Sequence, residues 1–220
     1  MKLVTVDEMK AIEKEADASG LTYSDMMENA GRELAYAIAE VPLLVDQEED
    51  IEVLGLVGPG NNGGDALVAL THLRADGWIA RAYLIKRKVK GDELIQQFTE
   101  MGGEVVEAAR DEEHTSLQAF LETAHVLVDG VLGTGIKLPL KEDVASILAA
   151  VKGQLDKTEE PPFVVAVDCP SGVDCASGSA AEQVIPADMT VTMGAVKDGL
   201  LRLPAYELIG DLVVADIGLT

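Results

Sequence analysis

Apolar and polar positions come in blocks along this chain, and the blocks change period. Short apolar-rich runs lie at 51–57, 80–85, 125–131, 163–167, 187–193 and 212–215, with 80–85 alternating and 187–193 setting Met189, Val191 and Met193 on one face. Between them are stretches in which apolar residues return every three or four positions. The first pattern predicts strands, the second amphipathic helices. The predicted helices run from Thr5 or Asp7 to Ser19, with Met9, Ile12 and Ala16 inward and Gly20 as the stop, and from Thr22 to Ala39, with Met26, Met27, Ala30, Leu34 and Ile38 inward. Further helices are read at Ala66–Ala75, Gly91–Met101 (ended by Gly102-Gly103), Ser116–Thr123 and Pro139–Leu155, with a short strand at Val105-Val106. Gln47–Asp50 and Thr158–Pro162 read as polar connections. Strands alternating with helices predict an α/β fold. The expected form is a doubly wound, mostly parallel sheet with helices on both faces, a Rossmann-like three-layer αβα sandwich spanning residues 1–220 as one domain.

One helix carries a local conflict. Glu28-Asn29-Ala30-Gly31 puts asparagine and glycine in its middle, where both are unfavourable. Close packing against a neighbouring element would offset the cost, with Met26-Met27 as core.

Three strand ends carry chemistry. The first run leads into Gly58-Pro59-Gly60-Asn61-Asn62-Gly63-Gly64-Asp65, read as a glycine loop before a helix. Glycines expose backbone N–H groups, and a helix N-terminus favours an anion. The stretch lacks the Lys-Ser/Thr pair of a P-loop, and Asp65 adds a carboxylate that suits a hydroxyl or a nearby cation better than phosphate alone. Asp65 as an ordinary helix cap is the plainer alternative. The second end is Asp129-Gly130-Val131-Leu132-Gly133-Thr134-Gly135; the third is Asp168-Cys169-Pro170-Ser171-Gly172-Val173-Asp174. A carboxylate ending a buried strand is costly unless hydrogen-bonded, paired or bound to a cation. In a parallel sheet all three loops lie on the carboxyl edge, where ligands bind, so they are expected to meet in one pocket.

Composition narrows the classes. The 220 residues carry a formal charge of −22, which opposes binding to a nucleic-acid backbone or an anionic membrane. At 48% hydrophobic residues the chain can still bury a core. The start of the chain mixes charges and no apolar run is long enough to span a membrane. Cys169 and Cys175 stand without a second pair or clustered histidines, which argues against zinc and for reduced thiols in the cytoplasm. Lys86, Arg87, Lys88 and Lys90 are the one basic cluster, either steering an anionic ligand or forming a solvated strand end.

Taken with Met26-Met27-Glu28-Asn29-Ala30-Gly31 and the tail from Ala187 through Lys197 and Gly199 to Gly218, the three loops resemble the NAD(P)H-hydrate epimerase family, the YjeF N-terminal domain. The likeness covers nearly the whole chain; Cys169 replaces a usual aliphatic residue, and Ala66 a common glycine. It implies interconversion of the R and S epimers of hydrated NADH or NADPH at C6 of the reduced ring, and functional coupling to a dehydratase. The chain would be either a stand-alone epimerase or a domain of a bifunctional one, and a homodimer through the N-terminal helices with their Met pair is expected. By resemblance, Asn61, Asn62, Gly63, Gly64 and Asp65, then Gly133, Thr134, Gly135, Ile136, Lys137, Leu138 and Pro139, and Asp168, contact the substrate. Asn62, Asp129 and Ser171 match potassium ligands. A potassium ion would offset the burial of Asp129 and attract a pyrophosphate to an acidic chain. Epimerisation requires proton movement, and Asp168 is the first candidate for general acid–base catalysis, Asp65 the second.

Two other readings compete. An NAD-dependent dehydrogenase would require a hydride-transfer site, usually with a histidine, yet His72, His114 and His125 lie in no glycine loop. A non-catalytic binding module, as in an mRNA-decapping scaffold with an altered pocket, is disfavoured because Asn62, Asp65, Asp129, Asp168 and Ser171 are all present.

Overall fold

The computed structural model describes residues 2–42 and 50–219. The polar connection expected at Gln47–Asp50 lies outside them apart from Asp50. The elements in order are β1 (Leu3–Val4), α1 (Val6–Ala18), α2 (Tyr23–Ala39), β2 (Glu52–Val57), α3 (Asn61–Ala75), β3 (Ile79–Leu84), α4 (Glu93–Glu100), β4 (Glu104–Glu107), α5 (Thr115–Thr123), β5 (Val126–Gly130), α6 (Glu142–Leu155), β6 (Phe163–Val167), β7 (Met189–Met193), β8 (Val196–Lys197) and β9 (Asp211–Ala215). Seven strands form one sheet in the order β4-β3-β2-β5-β6-β7-β9, and every pairing in it is parallel. Strand order reverses direction between β2 and β5, the switch point at which an open parallel sheet leaves a crevice at its carboxyl edge.

The central strands β2, β5, β6 and β7 are buried on both faces because a helical layer covers each face, while the edge strands β4 and β9 stay partly exposed. On one face α2, α3 and α4 bring Leu34, Ile38, Leu67, Leu70, Ile95 and Phe98 against Val53, Val57, Val126 and Val165. On the other, α5 and α6 set Leu117, Leu121, Leu148 and Val151 against Leu54, Leu56, Leu127 and Val164. A third cluster joins Cys169, Val173, Cys175, Val184 and Leu200 beyond the end of β6. Both cysteines there are buried and free. The expected three-layer α/β sandwich is the fold observed.

Capping boxes fix the starts of the first two helices. Thr5 exchanges hydrogen bonds with Glu8, and Thr22 with Asp25. The conflict inside α2 has a packing explanation. A Cβ on Gly31 would lie 2.3 Å from the Cβ of Val68, so α2 and α3 approach closely only because position 31 is glycine. Asn29 spends its amide on the Ile217 carbonyl, 3.2 Å away, which ties α2 to the end of the chain.

Two helix starts and one strand pairing differ from expectation. Helix α3 starts at Asn61, not Ala66, so Asn61 to Asp65 are its first turns and the turn after β2 is only Gly58-Pro59-Gly60. The packing of Gly31 against that region outweighs the poor helix propensity of Asn-Asn-Gly-Gly. Consequently Asp65 is not a helix cap: Gly60 holds that place. Pro139 does not open α6, which begins at Glu142; the Leu138–Pro139 peptide is cis and lies in the preceding loop. A two-stranded parallel pair, β1 with β8, was not anticipated and joins Leu3 to Val196 and Val4 to Lys197.

Candidate functional site

The turn after β2 leaves the sheet and enters α3 with no side chain capping the helix, since Gly60 is the cap residue. The first N–H groups of α3 are therefore open to an anion. The turn is braced from one side by Arg87, whose guanidinium donates to the carbonyls of Gly58 (3.1 Å) and Gly60 (3.4 Å) while pairing with Asp92 at 2.7 Å. Its interior has no spare room: a Cβ on Gly63 would come within 2.0 Å of the Gly58 carbonyl oxygen.

One full turn further along α3, Asp65 is buried and lines a cavity of about 470 Å³. Asp168, at the end of β6, faces the same cavity. Its backbone is left-handed, at φ 65°, a conformation that costs energy and recurs at functional sites. The twist sets its Oδ1 among three donors: Thr192 Oγ1 at 3.0 Å, the Met193 N–H at 3.0 Å and Lys197 Nζ at 2.5 Å. Lys197 is 2% exposed and completes its hydrogen bonding on Thr192 Oγ1 (3.3 Å) and the Met193 carbonyl (2.9 Å). All three ammonium protons are thus committed, and a full ion pair is held inside the protein. Asp168 Oδ2 has no partner among the described residues.

The two aspartates have different surroundings. Burial pushes the Asp65 carboxyl well above the usual carboxylate range, the negative charges of Asp168 and Glu13 add to the rise, and Lys197 opposes it only partly. Among the described residues no hydrogen bond holds the Asp65 carboxyl. Asp168 instead has an ammonium and two further donors. Glu13 enters from α1 beside Lys10, and burial raises its carboxyl too, against the pull of Lys197. Two carboxyl groups in one pocket, one favouring its proton and one paired with a cation, form an acid–base arrangement.

Behind the cavity wall is a second polar cluster. Asp129 is 1% exposed. It accepts from the Ser171 N–H (2.7 Å), the Ser171 hydroxyl (2.5 Å) and the Val131 N–H (3.4 Å). Burial raises its carboxyl, the Ser171 hydrogen bonds lower it, and no Lys, Arg or His pairs with it among the described residues. The Asn62 side-chain amide reaches the carbonyls of Val167 (2.5 Å) and Leu132 (3.2 Å). The Ser171 hydroxyl lies 3.5 Å from the same Leu132 carbonyl. A Cβ on Gly133 would meet Asn62 Oδ1 at 2.4 Å, so glycine there admits the amide. One buried carboxylate among an amide, a hydroxyl and main-chain carbonyls is a donor set for a hard cation of low charge. No cluster of three or more His, Cys, Asp or Glu suited to a metal exists among the described residues.

The three acidic strand ends do meet at one edge of the sheet. Asn61, Asn62, Asp65, Gly133, Thr134, Gly135, Ile136 and Asp168 line the cavity. Gly63 and Gly64 are buried behind its wall, Gly64 against the sulfur of Met27. Lys137, Leu138 and Pro139 are not part of the lining. The Met pair is not a free outer surface: Met26 is buried and both methionines line the cavity. The sequence reading did not select Lys197, Thr192 or Glu13. Lys197 did leave a trace, as the single Lys or Arg between Lys157 and Arg202, set among Ala195, Val196, Gly199 and Leu200.

Similarity to known proteins covers this whole arrangement. A family model described as "YjeF-related protein N-terminus" matches residues 23–199. The chain is 33% identical over 222 residues to a bifunctional NAD(P)H-hydrate repair enzyme Nnr of Thermofilum pendens, covering 99% of this chain and 40% of that one. It is 32% identical over 221 residues to an NAD(P)H-hydrate epimerase of Cenarchaeum symbiosum, covering 98% of this chain and 95% of that one. The crystal structure of yeast YNL200c superposes with a TM-score of 0.76 at 26% identity, covering 94% of this chain and 86% of that one. The chain therefore spans about two fifths of the length of the bifunctional relatives, and nearly all of the Cenarchaeum symbiosum epimerase.

Proposed function

Because the chain belongs to the YjeF-related N-terminal family, we propose that it is an NAD(P)H-hydrate epimerase, interconverting the R and S forms of hydrated NADH or NADPH for cofactor repair. The observation that carries this reading is the pairing of Asp65 with Asp168 in one cavity beside an open helix N-terminus. The cavity is of small-molecule size, and the helix end suits the pyrophosphate of a dinucleotide. Bifunctional relatives join the same domain to a longer chain, which supports coupling to a dehydratase that takes one epimer.

Inversion at the carbinolamine carbon requires either its hydroxyl or its ring C–N bond to break and re-form on the other face. In both routes a proton goes to the departing heteroatom and another leaves the oxygen that stays or returns. Asp65, whose environment favours the protonated form, is the proton donor, and Asp168 Oδ2, free of protein partners, is the acceptor. On the ring-opening route, closure on the other face reverses both transfers and restores the two groups. On the hydroxyl route the re-adding water gives its proton to Asp168, and proton exchange with solvent resets the pair. Neither route consumes a reagent. Tyr23, Met26 and Met27 form the apolar wall that limits water around the ring. The test is a coupled assay on a mixture of hydrate epimers with an epimer-selective dehydratase. Adding this chain is expected to carry consumption from one epimer to the whole mixture; a halt at one epimer would refute the reading.

Potassium belongs to the proposal as well. Asp129, Ser171 and Asn62, with the Leu132 and Val167 carbonyls, would hold it, and it would supply positive charge beside the pyrophosphate. Residues that bind a cation only when folded gain stability with its concentration, by about 2.7 kcal/mol at a hundredfold excess over Kd. Melting is thus expected to shift upward in potassium chloride relative to choline chloride at equal ionic strength. Asp129→Asn should abolish the difference between the two salts. A cytoplasmic location accords with the two buried free thiols, and no helix among the described residues is long and apolar enough to cross a membrane. A homodimer is also proposed; exposed Leu203 and Tyr206, close together before β9, offer apolar surface for it, rather than the Met pair.

A further inference from the structure

We infer that Lys88 and Lys90 form a subsite for the adenosine 2′-phosphate of the hydrated dinucleotide, so that the pocket favours hydrated NADPH over hydrated NADH. The inference rests on the epimerase reading for the identity of the dinucleotide, but the subsite is a separate feature of the molecule.

A second cavity, of about 610 Å³, opens beside the first. Tyr23 and Met27 wall both, so a ligand in one extends past these two side chains into the other. The first cavity holds the acidic pair and suits the uncharged reacting ring. The open N-terminus of α3 lies at its rim and suits the pyrophosphate. The adenosine end of a dinucleotide then has the second cavity to occupy, where Tyr23 offers an aromatic face to a purine.

Charge selects the ligand. The chain carries 39 acidic and 17 basic residues, so positive potential is scarce. The basic run after β3 is nevertheless concentrated here. Two of its four members are already neutralised: Lys86 pairs with Asp143, and Arg87 with Asp92. Lys88 and Lys90 are exposed, line the second cavity and pair with no carboxylate among the described residues. The acidic groups that face them are mostly engaged. Asp92 is held by Arg87 and by the N–H groups of Leu94 and Ile95, and Glu28 is 2.8 Å from His72. Glu93 opposes the two ammonium groups from that wall, and Glu28 keeps its carboxylate there beside His72. Because Arg87 also bonds the Gly58 and Gly60 carbonyls, the segment bearing the two lysines is pinned to the turn that cradles the anion.

Calorimetric titration with 2′-phospho-ADP-ribose and with ADP-ribose tests this without catalysis. The full chain should bind the 2′-phosphorylated ligand about tenfold more tightly, a difference of about 1.4 kcal/mol. In the Lys88→Ala/Lys90→Ala variant that ratio should fall to about one, and in Lys88→Glu/Lys90→Glu it should invert, with thermal melts confirming that both variants are folded. Equal affinity of the unaltered chain for the two ligands, or an unchanged ratio in both variants, overturns the subsite. Should the chain fail to epimerise either hydrate yet show the lysine-dependent ratio, the epimerase reading falls and the subsite stands. Should it epimerise both hydrates and bind the two ligands equally, the reverse holds.

Discussion

Lys197→Met is expected to cost about 3–5 kcal/mol of folding stability, as removal of one member of a buried ion pair typically does. The loss comes less from the missing attraction than from what is left behind. Asp168 would keep its charge inside a pocket 2.5 Å from where the ammonium was, with only Thr192 and the Met193 N–H to solvate it. Urea denaturation measures the effect. The double variant Asp168→Asn/Lys197→Met separates charge from packing: with both charges gone, most of the lost stability should return, while epimer exchange stays absent. If the single variant unfolds at the same urea concentration as the parent, the pair contributes no net stability and Lys197 is not what holds Asp168. A Lys197→Arg change is no rescue, since a planar guanidinium cannot reproduce three converging ammonium bonds.

Asp65→Asn should lower the rate of epimer exchange by about 10²–10⁴-fold, the range expected for loss of a positioned general acid. Asparagine keeps the shape but has no transferable proton. The pH profile gives an independent sign. The Asp65 carboxyl is raised in the folded protein, so it is protonated below that raised value and ionised above it. Activity that depends on its proton is present at low pH and is lost as pH rises through the folded value. The stability linked to the group follows the same direction, complete below the ordinary carboxylate range and lost on the alkaline side. Exchange measured by NMR across pH should show this alkaline limb in the parent and none in the variant's residual activity. A variant that exchanges epimers at the parent's rate removes proton donation from Asp65 and leaves it a binding group.

Much of this arrangement was legible before any coordinates. An apolar run that stops at a carboxylate is a strong signal, because only a functional or paired acid survives at the end of a buried strand; Asp129 and Asp168 both follow that rule. The convergence of their loops followed from the parallel sheet alone. Less visible was the start of α3. Asn-Asn-Gly-Gly argues locally for a loop, whereas the helix there packs closely on Gly31, where a Cβ would meet Val68 and the Asp65 carbonyl, a contact between residues far apart in sequence. Lys197 was hidden for a similar reason. Its partner is 29 positions away, and a lysine in an apolar stretch is ordinarily read as surface. Glu13 sat on the polar side of an amphipathic helix, which gives no sign that this side faces a cavity. The Met26-Met27 pair was readable both as core and as a dimer surface; Met26 is buried and the protomer uses both side chains itself.

The pairing of β1 with β8 has a consequence for biosynthesis. Glu13 is made before the sheet, but the strand that receives Leu3 and Val4, and the lysine on it, is made only after β2 to β7. Until then the amino-terminal helix has no docking place, and contacts spanning so much of the chain form late. A product that stops short of Val196 would therefore hold the sheet centre with an unfinished wall around Asp65 and Asp168, and no epimer exchange is expected of it.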